Sequence, residues 1–207
     1  MEPRERILSK TTELYFRYGI RSVTMDEIAG QCGISKKTIY QFFEDKDALV
    51  SAVMDTIINK TECDCMVDQK ASGNAVHEVF LALDMVQEMF SNMNPAILFD
   101  LQKHHPKAWD RLEEHKTKFF LSILKQNIQR GKSEGLYREE LHEDIIARMR
   151  LVTAFLPFNP DVFSKGKYSM SFVEQELTEH FVYGMATPKG QKLIQKYKQE
   201  RIKTQNT

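Results

Sequence analysis

Apolar residues recur along most of this chain at intervals of three and four, the spacing of helices that each bury one face. The first stripe is Ile7, Thr11, Leu14, Tyr15 and Tyr18, in a segment from about Pro3 to Tyr18 that Gly19 ends. Thr24-Met25-Asp26-Glu27 reads as a capping box followed by Ile28 and Ala29, which predicts a short second helix closed by Gln31-Cys32-Gly33. Ser35 is placed to cap a third helix running through Phe42. Asp45 or Asp47 then opens a fourth, apolar at Leu49, Val50, Val53, Met54, Ile57 and Ile58.

Beyond it the pattern stays helical. Val76, Val79, Phe80, Leu83, Val86, Met89 and Phe90 mark a helix over Asn74 to Met93, which Asn94-Pro95 breaks. A short segment, Ala96 to Gln102, precedes Pro106, and an amphipathic stretch then runs from about Lys107 to Gln129. Gly131 and Gly135 end it, and Leu136-Tyr137 packs the turn. Two apolar helices follow, His142 to Phe155 and Met170 to Met185, joined by an irregular link through Pro157 and Pro160. A basic helix, Pro188 to Ile202, comes last. Strand-like alternation is scarce, as are Gly (9) and Pro (6), so the pattern predicts an all-α protein.

Two short helices around a tight Gly-containing turn, set between longer ones, are a helix-turn-helix layout. Ile28, Ala29, Ile34 and Ile39 are placed to bury the contact between the short helices, and Gly33 to permit the turn. In such motifs the start of the second short helix meets base edges in the major groove; here that start is Ser35-Lys36-Lys37-Thr38.

The stretch from Ile7 to Leu49 resembles the DNA-binding domain of the TetR family of transcriptional regulators. The matching residues are Leu14-Tyr15-Phe16, Gly19, Thr24, Ile28-Ala29, Gly33-Ile34-Ser35, Thr38-Ile39-Tyr40, Phe42-Phe43, Lys46 and Leu49. It departs at Thr11 and Thr12, where the family often has alanines, and at Lys37, where it often has Gly. Gly30, inside the short second helix, costs about 1 kcal/mol against Ala. The resemblance implies base contacts by Lys36, Lys37, Thr38 and Gln41, and phosphate contacts by Thr24, Ser35, Tyr40 and Lys46. The bland reading is that the hydroxyls only cap, Tyr40 only packs and the lysines are a solvated face.

For the rest of the chain the resemblance implies a larger helical domain that binds an effector and dimerises, so the division expected is 1–47 for the helix-turn-helix domain and 48–207 for the second. Met85, Met89, Phe90, Trp109, Phe120 and Met149 are candidate pocket residues, because Met and aromatic side chains suit an adaptable apolar cavity. Position by position, an ordinary core is the favoured reading of each. Ile146, Met149, Val152, Phe172, Val173, Leu177 and Phe181 are candidate dimer contacts. The use of a dimer is geometric, since two reading helices must meet half-sites about one helical turn apart or a multiple of it.

Other chemistry is thin. Cys63-Asp64-Cys65 puts two thiols on roughly opposite sides of a helix with no second pair, so no metal site is expected. Cys32 fits a packed position in the turn. The histidines, His104-His105 among them, fit surface or capping roles. No nucleophile–base motif, phosphate loop or HExxH is visible, so no catalytic residues and no cofactor are expected. Three cysteines are poor material for a disulfide framework. No apolar run reaches membrane-span length and no signal peptide opens the chain, which together predict a cytoplasmic protein without a membrane partner.

Charge complicates the picture. The chain carries 29 Lys and Arg against 29 Asp and Glu, whereas DNA binders usually present a basic surface. Residues 1–47 are no richer, with 8 of each sign. Placement answers the objection: no acid lies between Ile28 and Phe43, where Lys36 and Lys37 stand. Neutrality therefore predicts few phosphate contacts and a moderate salt dependence. The segment 188–207 carries a net charge of +5, either a solvated face or a second contact.

The expected function is a regulator, most simply a repressor, that binds a near-palindromic operator in double-stranded DNA as a homodimer and is released by a small molecule. Two rivals stand beside it. One is a DNA-bound adaptor controlled by a protein partner, and the other a helical enzyme with a vestigial helix-turn-helix.

Overall fold

A computed structural model describes residues 2–91, 93–163 and 166–205. Among them the fold is helical, with no strand and one isolated antiparallel bridge between Tyr137 and Ala186. The helices are α1 (Pro3–Tyr18), α2 (Met25–Cys32), α3 (Lys36–Tyr40), α4 (Lys46–Ala71), α5 (Ala75–Ser91), α6 (Ala96–His104), α7 (Pro106–His115), α8 (Leu121–Ser133), α9 (Glu143–Thr153), α10 (Met170–Met185) and α11 (Pro188–Gln205). Where one amphipathic helix is expected over 107–129, a π-helical turn, Lys116–Phe120, separates α7 from α8.

Packing divides the chain into two compact units, Met1–Glu62 with Asn92–His115, and Cys63–Ser91 with Lys116–Thr207. A cut at residue 47 marks off the helix-turn-helix motif; the packing boundaries fall elsewhere, the first of them within α4.

In the first unit, α1 buries Ile7, Leu8, Thr11 and Tyr15, while Tyr18 is exposed. Gly19 closes α1 at φ 82°, donating its N–H to the carbonyl of Tyr15. Ile28 and Ile39, both 0% exposed, lock α2 to α3, each worth about 1.5–3 kcal/mol of burial. Ile97, Leu101, Ala108 and Leu112 bring α6 and α7 into the same core. Polar ties reinforce this packing. The Asp100 carboxylate accepts from the Arg21 N–H at 3.0 Å, and the Asn94 N–H donates to the carbonyl of Phe16. Asp47 meets His105 at 2.6 Å and Asp55 meets Arg111 at 2.7 Å.

The second unit is centred on Val76, Phe80, Leu83, Ile128, Tyr137, Phe181, Val182 and Met185. Arg130 ties α4, α5 and α8 together, donating to Glu134, Glu78 and both oxygens of Ser72. No helix among the described residues is long and apolar enough to cross a membrane.

Candidate DNA-binding surface and effector region

The helix-turn-helix is built by local chemistry. Thr24 and Glu27 form a reciprocal capping box: the Glu27 N–H donates to Thr24 Oγ1 at 3.2 Å, and the Thr24 N–H to Glu27 Oε2 at 2.7 Å. Accepting from the Thr24 N–H and, at 2.9 Å, from the Thr24 hydroxyl holds the Glu27 carboxyl below its ordinary range. Gly33 takes the left-handed conformation at φ 61° that the turn requires. Ser35 Oγ then accepts from the Thr38 N–H at 3.1 Å and starts α3, which ends at Tyr40 rather than running through Phe42.

With Ile39 turned inward, the other side of α3 faces outward. Lys36, Lys37 and Gln41 are exposed, and Thr38 is half-buried with its hydroxyl on Ser35 Oγ at 2.9 Å. Tyr40 is 45% exposed and Phe42 is exposed beside it, while Phe43 packs inside. This arrangement brings Lys36, Lys37, Thr38, Gln41, Ser35 and Tyr40 onto one short element.

Two residues sit in roles that spacing alone does not show. Lys36 is not isolated: its ammonium meets Asp26 of α2 at 2.9 Å, which raises the lysine's pKa. Lys46 points inward. Its Nζ donates to the carbonyls of Ile20 at 2.7 Å and Val23 at 2.6 Å, in the turn that delivers α2. Burial pushes its pKa down, against the attraction of Asp100, Glu27 and Asp47. Asp45, meanwhile, caps α4 through the Ala48 N–H.

The residues singled out for an effector pocket are dispersed. Trp109 packs against the core of the first unit. In the second, Met85, Met89 and Phe120 are half-buried, Phe90 is buried with its ring edge-on to Phe158 at 5.0 Å, and Met149 is exposed. A half-open cavity of about 110 Å³ in the second unit is lined by other residues, among them Val79, Leu83, Val86, Ile128, Arg150 and Phe181. Arg150 of α9 is buried, and its guanidinium is held by Glu174 and by Thr178 of α10.

Of the candidate dimer residues, Val152 is 66% exposed, and Met149 and Phe172 are about half exposed. Ile145 joins them on the outer face of α9. Ile146 and Leu177 are half-buried, and Val173 and Phe181 lie in the core of their own unit. The basic α11 is largely engaged within its unit: Lys189 with the Glu134 carbonyl, Lys198 with Glu179 and Arg201 with Asp84. None of the three cysteines is in a disulfide among the described residues; Cys32 is buried, Cys65 half-buried and Cys63 exposed.

Comparison with known proteins adds an independent line. The family model for bacterial regulatory proteins of the tetR family matches residues 7–53. The uncharacterized HTH-type transcriptional regulator YvaF of Bacillus subtilis (strain 168) is 23% identical over 185 residues, which cover 87% of this chain and 94% of that protein. Among solved structures, SCO4454, a TetR-family transcriptional regulator from Streptomyces coelicolor, superposes with a TM-score of 0.66 at 17% identity, covering 88% of this chain and 93% of its own. A transcriptional regulator from Saccharomonospora viridis, solved in complex with choline, reaches 0.71 at 17% identity, with 89% and 97% covered. At these identities the structural likeness is one of fold.

Proposed function

This chain belongs to the TetR family of bacterial transcriptional regulators, and from that premise we propose that it is a dimeric repressor released from its operator by a small molecule. The observation that carries the reading is the outer face of α3. Ile39 anchors that helix at 0% exposure, while Lys37, Gln41 and Tyr40 project outward. Lys36, Lys37, Thr38 and Gln41 read base edges; Thr24, Ser35 and Tyr40 hold phosphates. Lys46 acts as a brace behind them.

The exposed apolar side chains Ile145, Met149, Val152 and Phe172 on α9 and α10 support pairing of two copies through these helices. Two copies read the two halves of a near-palindromic site. The cavity of the second unit supports effector binding, as does the choline held by the regulator from Saccharomonospora viridis. A ligand shifts the protein off DNA only by binding the released state more tightly than the bound one. No enzymatic role is proposed.

Selection of duplexes from a random pool, with light scattering of the protein alone, tests this reading. The expected result is a dimer enriching two inverted half-sites, with the enrichment lost in Lys36→Ala/Lys37→Ala while the circular dichroism spectrum is kept. A monomer in solution, or a double variant that enriches the same sites, overturns it.

A further inference from the structure

The cavity of the second unit contains one feature that ordinary core packing does not explain. Its walls are mostly apolar, from Val79 and Leu83 of α5, Ile128 of α8 and Phe181 of α10. Set among them is Arg150, only 9% exposed. Its Nη2 donates to Glu174 Oε1 and, at 2.7 Å, to Thr178 Oγ1, and its guanidinium lies 5.7 Å from the Phe181 ring centre. Its Nη1 is buried with no acceptor among the described residues. A buried donor left in that state costs about 1–3 kcal/mol, and an acceptor brought in by a ligand would recover it.

We propose that this cavity takes a small, uncharged, mostly apolar molecule bearing one hydrogen-bond-accepting oxygen (an alcohol, phenol, ketone or ester), with that oxygen on Arg150. The proposal rests on the reading of the second unit as an effector sensor and names the class of effector. Size sets the first bound: an enclosed apolar cavity of about 150 Å³ holds benzene, so about 110 Å³ with one side open suits a molecule built on a single small ring, its substituent free to reach toward the mouth. Charge sets the second. Glu174 already neutralises Arg150, and Asp68 and Glu78 also line the cavity. An anion would therefore find no positive charge in the wall that is not already paired, and would face the Asp68 carboxylate. A cation would bring its charge into an apolar space shared with a buried guanidinium. Glu78 is paired with Arg130. Asp68 is half-exposed, so its attraction for a cation is screened by solvent. A neutral oxygen escapes both penalties.

Benzyl alcohol, benzoate, benzylammonium and toluene differ in charge and acceptor on one ring, which makes them suitable probes for calorimetry on the full-length protein. Operator release is followed in parallel by fluorescence anisotropy with a duplex selected by the protein itself. Benzyl alcohol is expected to bind at least tenfold more tightly than either ion or toluene. Arg150→Lys keeps a positive charge on Glu174 but removes the spare fork N–H, and should bring benzyl alcohol within about threefold of toluene. Ala82→Phe, which fills the cavity wall, should abolish binding with the circular dichroism spectrum kept. Tighter binding of either ion overturns the ligand class and leaves the sensor reading standing. Binding of benzyl alcohol without any change in operator affinity supports the assigned cavity but overturns the sensor reading. No binding of any probe, or equal binding by Ala82→Phe, overturns the assignment of the cavity.

Discussion

Replacing Lys46 by Met separates two roles for one residue. As a phosphate ligand, Lys46 would contribute to DNA affinity and its salt dependence and little to stability. The structure instead points its ammonium at two carbonyls, those of Ile20 and Val23, at 2.7 and 2.6 Å. A hydrogen bond from a charged donor contributes about 1.5–3 kcal/mol when well buried. Lys46 is half-buried and burial lowers its pKa, so part of that gain is returned as desolvation. Methionine keeps the apolar stem and abandons both carbonyls. We expect a loss of about 2 kcal/mol, which at a urea slope of about 1–2 kcal/mol/M lowers the midpoint by roughly 1–2 M. Trp109, the single tryptophan, packs against the core of the same unit, so its fluorescence follows that unit's unfolding. The plot of log affinity against log salt, taken well below the midpoint, should keep its slope. A phosphate ligand would instead lower the slope by about 0.9 for each copy bound. An unchanged urea midpoint together with a shallower salt slope refutes the brace.

Two further outcomes concern Asp26 and His115. Asp26→Asn frees Lys36 and removes a carboxylate beside the proposed DNA face. The pair is solvent-exposed, so the gain in affinity for non-operator duplex at fixed salt should be modest, roughly threefold to tenfold for a dimer; anisotropy showing weaker binding would contradict the placement of α3 on DNA. His115 is buried and its pKa is lowered, chiefly by burial and against the attraction of Glu62. The unfolded chain therefore takes up a proton near pH 6.5 that the native state accepts only at lower pH, so stability contributed here is present above pH 6.5 and is lost as the solution is acidified below it. Thermal melts from pH 7.5 to 5.0 should show a smaller acid loss in His115→Gln than in the parent, and equal slopes would exclude His115 as the source.

What the sequence makes legible is what is local. The capping box of Thr24 and Glu27, the Ser35 cap and the left-handed Gly33 each depend on residues within four positions, and all three form as their spacing predicts. The packing of α6 and α7 into the first unit is not legible in this way. Ile97, Leu101, Ala108 and Leu112 make an ordinary helical stripe, and nothing in a stripe says which distant helices will cover it. Lys46 is hidden for the same reason, since its partners are backbone carbonyls more than twenty residues away. The cavity is hardest. A Met-rich and aromatic composition points to Met85, Met89 and Phe120, but a cavity forms where facing side chains fail to fill a gap. The wall around Arg150 owes its shape to smaller residues such as Val79, Ala82 and Val86.

The neutral charge now has a structural counterpart at the reading surface. Asp26 holds Lys36, the carboxylate of Glu27 lies at the start of α2 on the Thr24 N–H, and Lys46 is turned to carbonyls. Arg6 is likewise engaged with the carbonyl of Cys32, and Lys10 with Glu13. Much of the basic charge in residues 1–47 is therefore occupied before any DNA arrives. Non-specific attraction to the phosphate backbone depends on free cations, so it should be weak for this surface. The groups that remain on the outer side of α3, Gln41 and Lys37 with Tyr40 near them, suit short-range hydrogen bonding better than long-range attraction. Because Asp26 must release Lys36 before that lysine can serve DNA, a duplex offering it a well-placed acceptor is favoured over one offering only diffuse charge. On the proposed reading, neutrality lowers affinity for all DNA but raises the ratio between operator and the rest, the quantity on which a repressor competing with a whole genome depends.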